Sequence, residues 1–95
     1  MKTFENIEDV TLAKRVADIL DGTTMFANQA DRLAALAVAA FESRGVESMY
    51  QLVIEESLLS WGLTVDESAA AVKAAFDAGT LTIQDSDQFV RNKLV

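Results

Sequence analysis

Residues 24–44, TMFANQADRLAALAVAAFESR, form the stretch on which the rest of the chain depends. From Ala30 to Phe41, ten of twelve residues are apolar and most are alanine, the strongest helix former. A helix that is apolar around most of its circumference must be buried in protein or in a membrane. Its continuous apolar run is nine residues long, whereas a membrane span needs about 20. We therefore predict one long central helix over residues 24–44, capped by Thr23 or Thr24 and buried in a protein core.

Three further helices are predicted around this central helix. Apolar residues recur at three- and four-residue steps between Ile7 and Leu20, and Asn6 as a cap and Gly22 as a terminator predict helix one over residues 7–21. The same periodicity predicts helix three over residues 47–61, with Glu55, Glu56 and Ser57 on or beside its solvent flank. Thr64 and Glu67 form a capping box that opens helix four, which runs to Gly79.

The segment after Gly79 has two interpretations. Asp85 and Gln88 could cap a fifth helix that carries Phe89, Val90 and Leu94, and we favour this helix. The alternative is a β-hairpin that pairs residues 81–84 with residues 88–91 around Asp85-Ser86-Asp87. The predicted fold is thus all-α and a single domain over residues 1–95, a compact four- to five-helix bundle around the alanine-rich helix, with a short C-terminal hairpin as the alternative.

Charge and composition narrow the class of partner. Fifteen acidic residues against eight basic ones give a net charge of −7, which disfavours nucleic acid phosphates and anionic membranes and favours a basic protein partner. The chain has no cysteine, and its first residues, MKTFENIED, carry acids where a secretory signal has an apolar stretch. We expect a cytoplasmic protein.

The residues needed for most catalytic and metal sites are missing. The chain has no histidine and no cysteine. Glu55 and Glu56 are adjacent, hence about 100° apart around a helix, and do not converge on one substrate. Asp85 and Asp87 lack the other ligands of a calcium loop. We expect no catalysis, no metal and no cofactor.

One stretch resembles a known DNA-binding architecture. From Ser57 to Phe89, the predicted order of helix, turn at Gly62-Leu63-Thr64, helix and two strands resembles a winged helix-turn-helix. That resemblance implies DNA binding through the helix that starts at Val65. However, this helix carries two acids at its leading end and a single lysine, Lys73, and we expect a winged helix of this kind to contact protein instead.

The function that we predict is a non-catalytic, acidic protein-binding module. It would be an accessory, inhibitory or structural subunit of a larger assembly, for which a small virus-encoded protein is an example, or would form a homo-oligomer through its broad alanine-rich surface. Aromatic residues with a polar atom are enriched at binding hot spots, and acidic residues suit a basic partner. The candidate contact residues are therefore Tyr50, Trp61, Glu55 and Glu56, and for Tyr50 and Trp61 the alternative is packing in the core, since both lie on the apolar stripe of helix three. The alternative is a winged-helix-like DNA-binding regulator.

Overall fold

A computed structural model of the protein describes residues 9–84 and 91–95. Within these ranges lie four helices, α1 (Val10–Asp21), α2 (Gln29–Arg44), α3 (Gln51–Ser60) and α4 (Val65–Asp77), and three strands, β1 (Ser48–Tyr50), β2 (Leu81–Gln84) and β3 (Arg91–Leu94). The strands form an antiparallel sheet in the order β1-β3-β2. The protein is mostly helical, as predicted, but the described chain has four helices rather than four to five and a three-stranded sheet in place of a hairpin.

The core is built on α2, as predicted. Its most extensive contacts are with α4, and its buried residues are Leu33, Ala34, Leu36, Ala37, Ala39, Ala40 and Phe41. The predicted start at residue 24 is wrong, because Asn28 is extended and its side chain accepts a hydrogen bond from the Asp31 N–H at 2.9 Å. Asparagine is among the best N-caps. An earlier start would also bury little, since Met25 is exposed.

Helix α1 packs along α2. The Asp9 carboxylate caps it by accepting the N–H groups of Thr11 and Leu12, so that the helix begins three residues after the predicted start; Asn6 lies outside the described residues. The predicted end at Gly22 is confirmed, and the φ of 79° at this residue is one that glycine adopts without strain. Arg32 of α2 donates to the carbonyls of Ile19 and Leu20, so its guanidinium joins the two helices.

The start of the predicted helix three is wrong. Ser48–Tyr50 is strand β1, since Ser48, Met49 and Tyr50 pair with Lys93, Asn92 and Arg91. This partner lies more than 40 residues away along the chain, where a local periodicity cannot detect it. Ser57 is also not on the solvent flank of α3, because it is buried and its hydroxyl accepts a hydrogen bond from the Arg44 Nε at 3.0 Å.

The predicted helix four is confirmed with its cap. The Thr64 N–H donates to the Glu67 carboxylate at 2.9 Å, and the Glu67 N–H donates to the Thr64 hydroxyl at 3.1 Å. The Thr64 backbone N–H foremost, and then the Thr64 side chain, hold the pKa of Glu67 below its ordinary value by hydrogen bonding to its carboxylate.

The favoured fifth helix is wrong at its described end, because Arg91–Leu94 is a strand. Strand β2 pairs with β3 from Leu81 opposite Leu94 to Gln84 opposite Arg91. The hairpin alternative is therefore correct for its first strand, and the described second strand is Arg91–Leu94, of which the prediction included only Arg91. Asp85, Ser86, Asp87, Gln88, Phe89 and Val90 lie outside the described residues.

The winged helix-turn-helix resemblance noted in the sequence depends on the order of elements alone, and that order is present from α2 to β3. A first helix and a short strand precede a helix-turn-helix, α3 and α4, and two strands follow to complete a small antiparallel sheet. In such a domain the second helix of the pair is the one that enters DNA. DNA binding would therefore depend on the exposed residues of α4.

Candidate functional site

The four predicted contact residues do not share one surface. Tyr50 is exposed at the end of β1, Glu56 is exposed on α3, and Glu55 is half-buried beside it. The Gln51 side-chain amide donates to Glu55 at 3.3 Å. Trp61 is only 2% exposed and belongs to the core. Three of the four predicted residues are therefore accessible at or near α3, and Trp61 is not.

Helix α3 has a solvent face that the candidate residues only partly described. Leu52 is 57% exposed and Leu59 is 41% exposed, and Glu56 is exposed between them. These residues recur at four- and three-residue steps, so they lie on one side of the helix, opposite the buried residues Ile54, Ser57 and Leu58. We call Leu52, Glu56 and Leu59, with Glu55 at the edge, the α3 outer face. It combines exposed apolar area with negative charge.

The two leucines were missed because the predicted buried stripe explained most apolar residues of the segment. Leu52 and Leu59 fall off that stripe, seven residues apart, which is two turns of a helix. Their spacing was the available signal for a second apolar side. The helical wheel alone, however, did not show which of the two sides is buried.

Helix α4, on which the DNA-binding alternative depends, exposes few groups that suit DNA. Val65, Asp66, Ala69, Ala70, Phe76 and Asp77 are exposed together with Lys73. The Lys73 ammonium lies 2.9 Å from the Asp77 carboxylate. Major-groove readers present arginine, lysine, asparagine or glutamine at these positions. The exposed surface of α4 is instead apolar and acidic, with one paired lysine.

The arginines that the structure describes with their side chains serve contacts within the chain. Arg15 of α1 lies 2.6 Å from the Glu42 carboxylate of α2, Arg32 donates to the last carbonyls of α1, and Arg44 donates to Ser57 of α3. Each of these contacts joins two helices. These guanidinium groups therefore position the helices and do not form a basic patch for phosphates.

Two open grooves border α2, and each includes an ion pair. One, of about 410 Å³, lies between the start of α2 and α4 and includes the Lys73–Asp77 pair; the other, of about 370 Å³, lies between α1 and α2 and includes the Arg15–Glu42 pair. Alanine and other apolar side chains line most of both. Within residues 9–84 and 91–95, no group of three or more acidic, histidine or cysteine side chains could hold a metal ion.

No helix in the described part of the chain is long and apolar enough to cross a membrane. Comparison with protein-family models, with curated proteins and with solved structures found no match to the chain. The exposed surfaces of the chain are therefore the features that bear on its function.

Proposed function

We propose that the protein is a non-catalytic, acidic protein-binding module that docks through the α3 outer face onto a basic, partly apolar segment of another protein. The observation that carries the proposal is the exposure of Leu52 and Leu59 on either side of Glu56. Two exposed leucines on one short helix supply apolar contact area, and the neighbouring carboxylates select the charge of the partner.

The apolar part of this surface supplies the affinity. Burying a leucine side chain is worth about 1.5–3 kcal/mol relative to leaving it in water. Leu52 and Leu59 are each about half exposed, so each has roughly half of that free energy left to gain on binding. A partner helix or strand that covers both leucines would place its flanking residues next to Glu55 and Glu56.

The charge of the surface supports a basic partner. Glu55 and Glu56 lie within the α3 outer face or at its edge, and the whole chain carries a net charge of −7. Complementary charge raises the rate of association and rejects acidic competitors. A protein segment with lysine or arginine beside apolar side chains satisfies both requirements.

The winged-helix-like topology supports a second candidate, a DNA-binding regulator. The element order from α2 onward favours this candidate. The exposed surface of α4 and the use of Arg15, Arg32 and Arg44 within the chain weigh against it. We therefore rank protein binding first.

The proposal is tested by capture with matched variants. The immobilised chain, the double variant Leu52→Gln/Leu59→Gln and the control Ile83→Gln are incubated with the same cell lysate, and bound proteins are compared by mass spectrometry. Ile83 is an exposed apolar residue of β2, at 58% against 57% for Leu52, so the control removes from another surface about the exposed apolar area of Leu52 alone. We expect a protein with a basic surface segment to bind the wild type and the control and to be lost from the double variant.

Charge is tested in the same way, with the captured protein purified. Glu56→Gln and Asp21→Asn each remove one negative charge from an exposed helical position, on α3 and α1 respectively. We expect Glu56→Gln to weaken binding several-fold and Asp21→Asn to leave it unchanged, as measured by calorimetry at two salt concentrations. If the same proteins are captured by the wild type and by the double leucine variant, the α3 outer face is not the docking surface.

A further inference from the structure

Helix α4 carries exposed apolar residues that the proposed function does not use. Val65 is 71% exposed at the first turn and Phe76 is 45% exposed at the last turn. With a rotation of about 100° per residue, Val65, Ala69 and Phe76 lie within about 40° of one another around the helix. The result is one stripe with a large apolar group at each end and the small side chain of Ala69 between them.

Opposite charges lie along one flank of this stripe. Asp66 and Lys73 are both exposed, are two turns apart and lie on the same side of the line from Val65 to Phe76. The Lys73–Asp77 pair is also largely exposed, so Lys73 can rearrange toward another carboxylate. We call Val65, Asp66, Ala69, Lys73 and Phe76 the α4 outer face.

We propose that the α4 outer face binds the same face of a second copy of this chain, with the two helices antiparallel across a two-fold axis. In such a pair, residues at equal distances on either side of the axis face each other. With the axis at Ala70, Val65 lies within one residue, about 1.5 Å along the helix, of facing Phe76 of the second copy, and Asp66 lies within the same distance of facing Lys73 of the second copy. Each contact occurs twice.

The face is complementary to itself, and this property selects the occupant. A two-fold axis perpendicular to both helices keeps each flank of one helix next to the same flank of the other, so Asp66 and Lys73 meet each other and not the apolar flank. The alanines at the axis allow close approach, and the large residues Val65 and Phe76 fill the space on either side. A uniformly basic partner would place a positive charge next to Lys73 and repel it. The phosphates of DNA would repel the Asp66 carboxylate.

The interaction is small and depends on concentration. A helix of 13 residues is about 20 Å long, and one helix pair buries less than the roughly 1,200–2,000 Å² of a stable complex. We expect rapid exchange between monomer and dimer. This inference goes beyond the proposed function, since it concerns another helix and another occupant.

The test is sedimentation equilibrium of the full chain at concentrations up to about 1 mM, where weak interfaces of this size become populated. The expected result is a mass that rises from 10.3 kDa toward twice that value. The variant Val65→Ser/Phe76→Ser should remain a monomer, and Leu52→Gln on α3 should dimerise like the wild type. Circular dichroism confirms that each variant is folded.

A charge exchange makes the test independent of any loss of stability. Asp66→Lys alone places lysine opposite lysine, and Lys73→Asp alone places aspartate opposite aspartate, so each variant should dimerise at least several-fold more weakly. Mixed in equal amounts, the two variants should form a heterodimer, visible by native mass spectrometry as a species containing one copy of each. The double variant Asp66→Lys/Lys73→Asp should dimerise again.

Each outcome of these experiments either supports or overturns the antiparallel pairing. Heterodimer formation from the two single variants, together with loss of the dimer in Val65→Ser/Phe76→Ser, supports the antiparallel pairing. A wild-type chain that is monomeric at the highest concentration overturns it. A dimer that persists in Val65→Ser/Phe76→Ser, or that is lost in Leu52→Gln, also overturns it, because the interface then lies elsewhere.

Discussion

Asn92 is a polar residue in the middle strand of the sheet and is 1% exposed. It lies opposite Met49 on one side and Ile83 on the other, and its side-chain amide has no hydrogen-bond partner among the described residues. A buried amide without a partner costs about 1–3 kcal/mol. At the scale of single residues, this side chain is a weak point of the core.

We predict that Asn92→Leu raises the free energy of unfolding by about 1–2 kcal/mol, because leucine has a similar size and brings no polar atom into the sheet. Asn92→Asp should lower it, because it buries a charge at the same place. Urea denaturation at neutral pH measures both changes. If Asn92→Leu were destabilising, the amide would have to serve a structural or binding role.

Single residues also show which features can be predicted from the sequence and which cannot. The Thr64–Glu67 capping box placed α4 correctly, because its two hydrogen bonds join residues only three positions apart. Trp61 and Leu59 show the opposite case. The helical periodicity alone does not decide whether Trp61 or Leu59 is buried. In the structure, the packing of the core buries Trp61 and leaves Leu59 exposed.

At the scale of elements, α2 and α4 both bury alanine side chains in the core. Ala37 and Ala40 of α2 and Ala71 and Ala75 of α4 are all fully buried, and these two helices make the most extensive contacts in the fold. Small side chains let the helix axes approach closely. The alanine bias of both helices, visible in the sequence, is thus satisfied largely inside one chain.

We predict that Ala37→Leu lowers the free energy of unfolding by about 1–3 kcal/mol, because three added carbon atoms find no space in a filled interface. The matched control is Ala30→Leu, at an exposed position of the same helix, which should change stability by less than about 0.5 kcal/mol. Thermal and urea denaturation of both variants provide the comparison. Equal effects would mean that the contact between α2 and α4 has room to expand.

Elements that need a distant partner could not be predicted from local pattern. Ser48, Met49 and Tyr50 fit a helical stripe, yet they form a strand because β3 is available to pair with them. The start of α2 was misplaced for a local reason, since Thr23 and Asn28 can both cap a helix and the choice depends on which residues gain burial. Of the α3 outer face, Glu55 and Glu56 were already candidates in the sequence, whereas Leu52 and Leu59 required knowledge of the buried side of α3.

At the scale of the whole molecule, the order of elements favours DNA binding and the net charge disfavours it. The order of elements from α2 to β3 is the basis of the DNA-binding alternative, whereas the chain carries a net charge of −7. Affinity for DNA depends mainly on neutralising phosphates with lysine and arginine. Arg15, Arg32 and Arg44 are used to join helices, and Lys73 is paired with Asp77. The balance of charges, rather than the topology, should therefore decide what the domain binds.

We predict that the protein does not retain duplex DNA in a gel shift, even at about 50 mM salt, where non-specific binding is strongest. Both the total charge and the acidic exposed surface of α4 repel the phosphates. Lys73→Glu should give the same result as the wild type, and a DNA-binding winged-helix protein run alongside confirms that the assay detects binding. Retention of DNA by the wild type that weakens with salt and disappears in Lys73→Glu would reverse the ranking, and would make α4 a DNA-reading helix despite its acids.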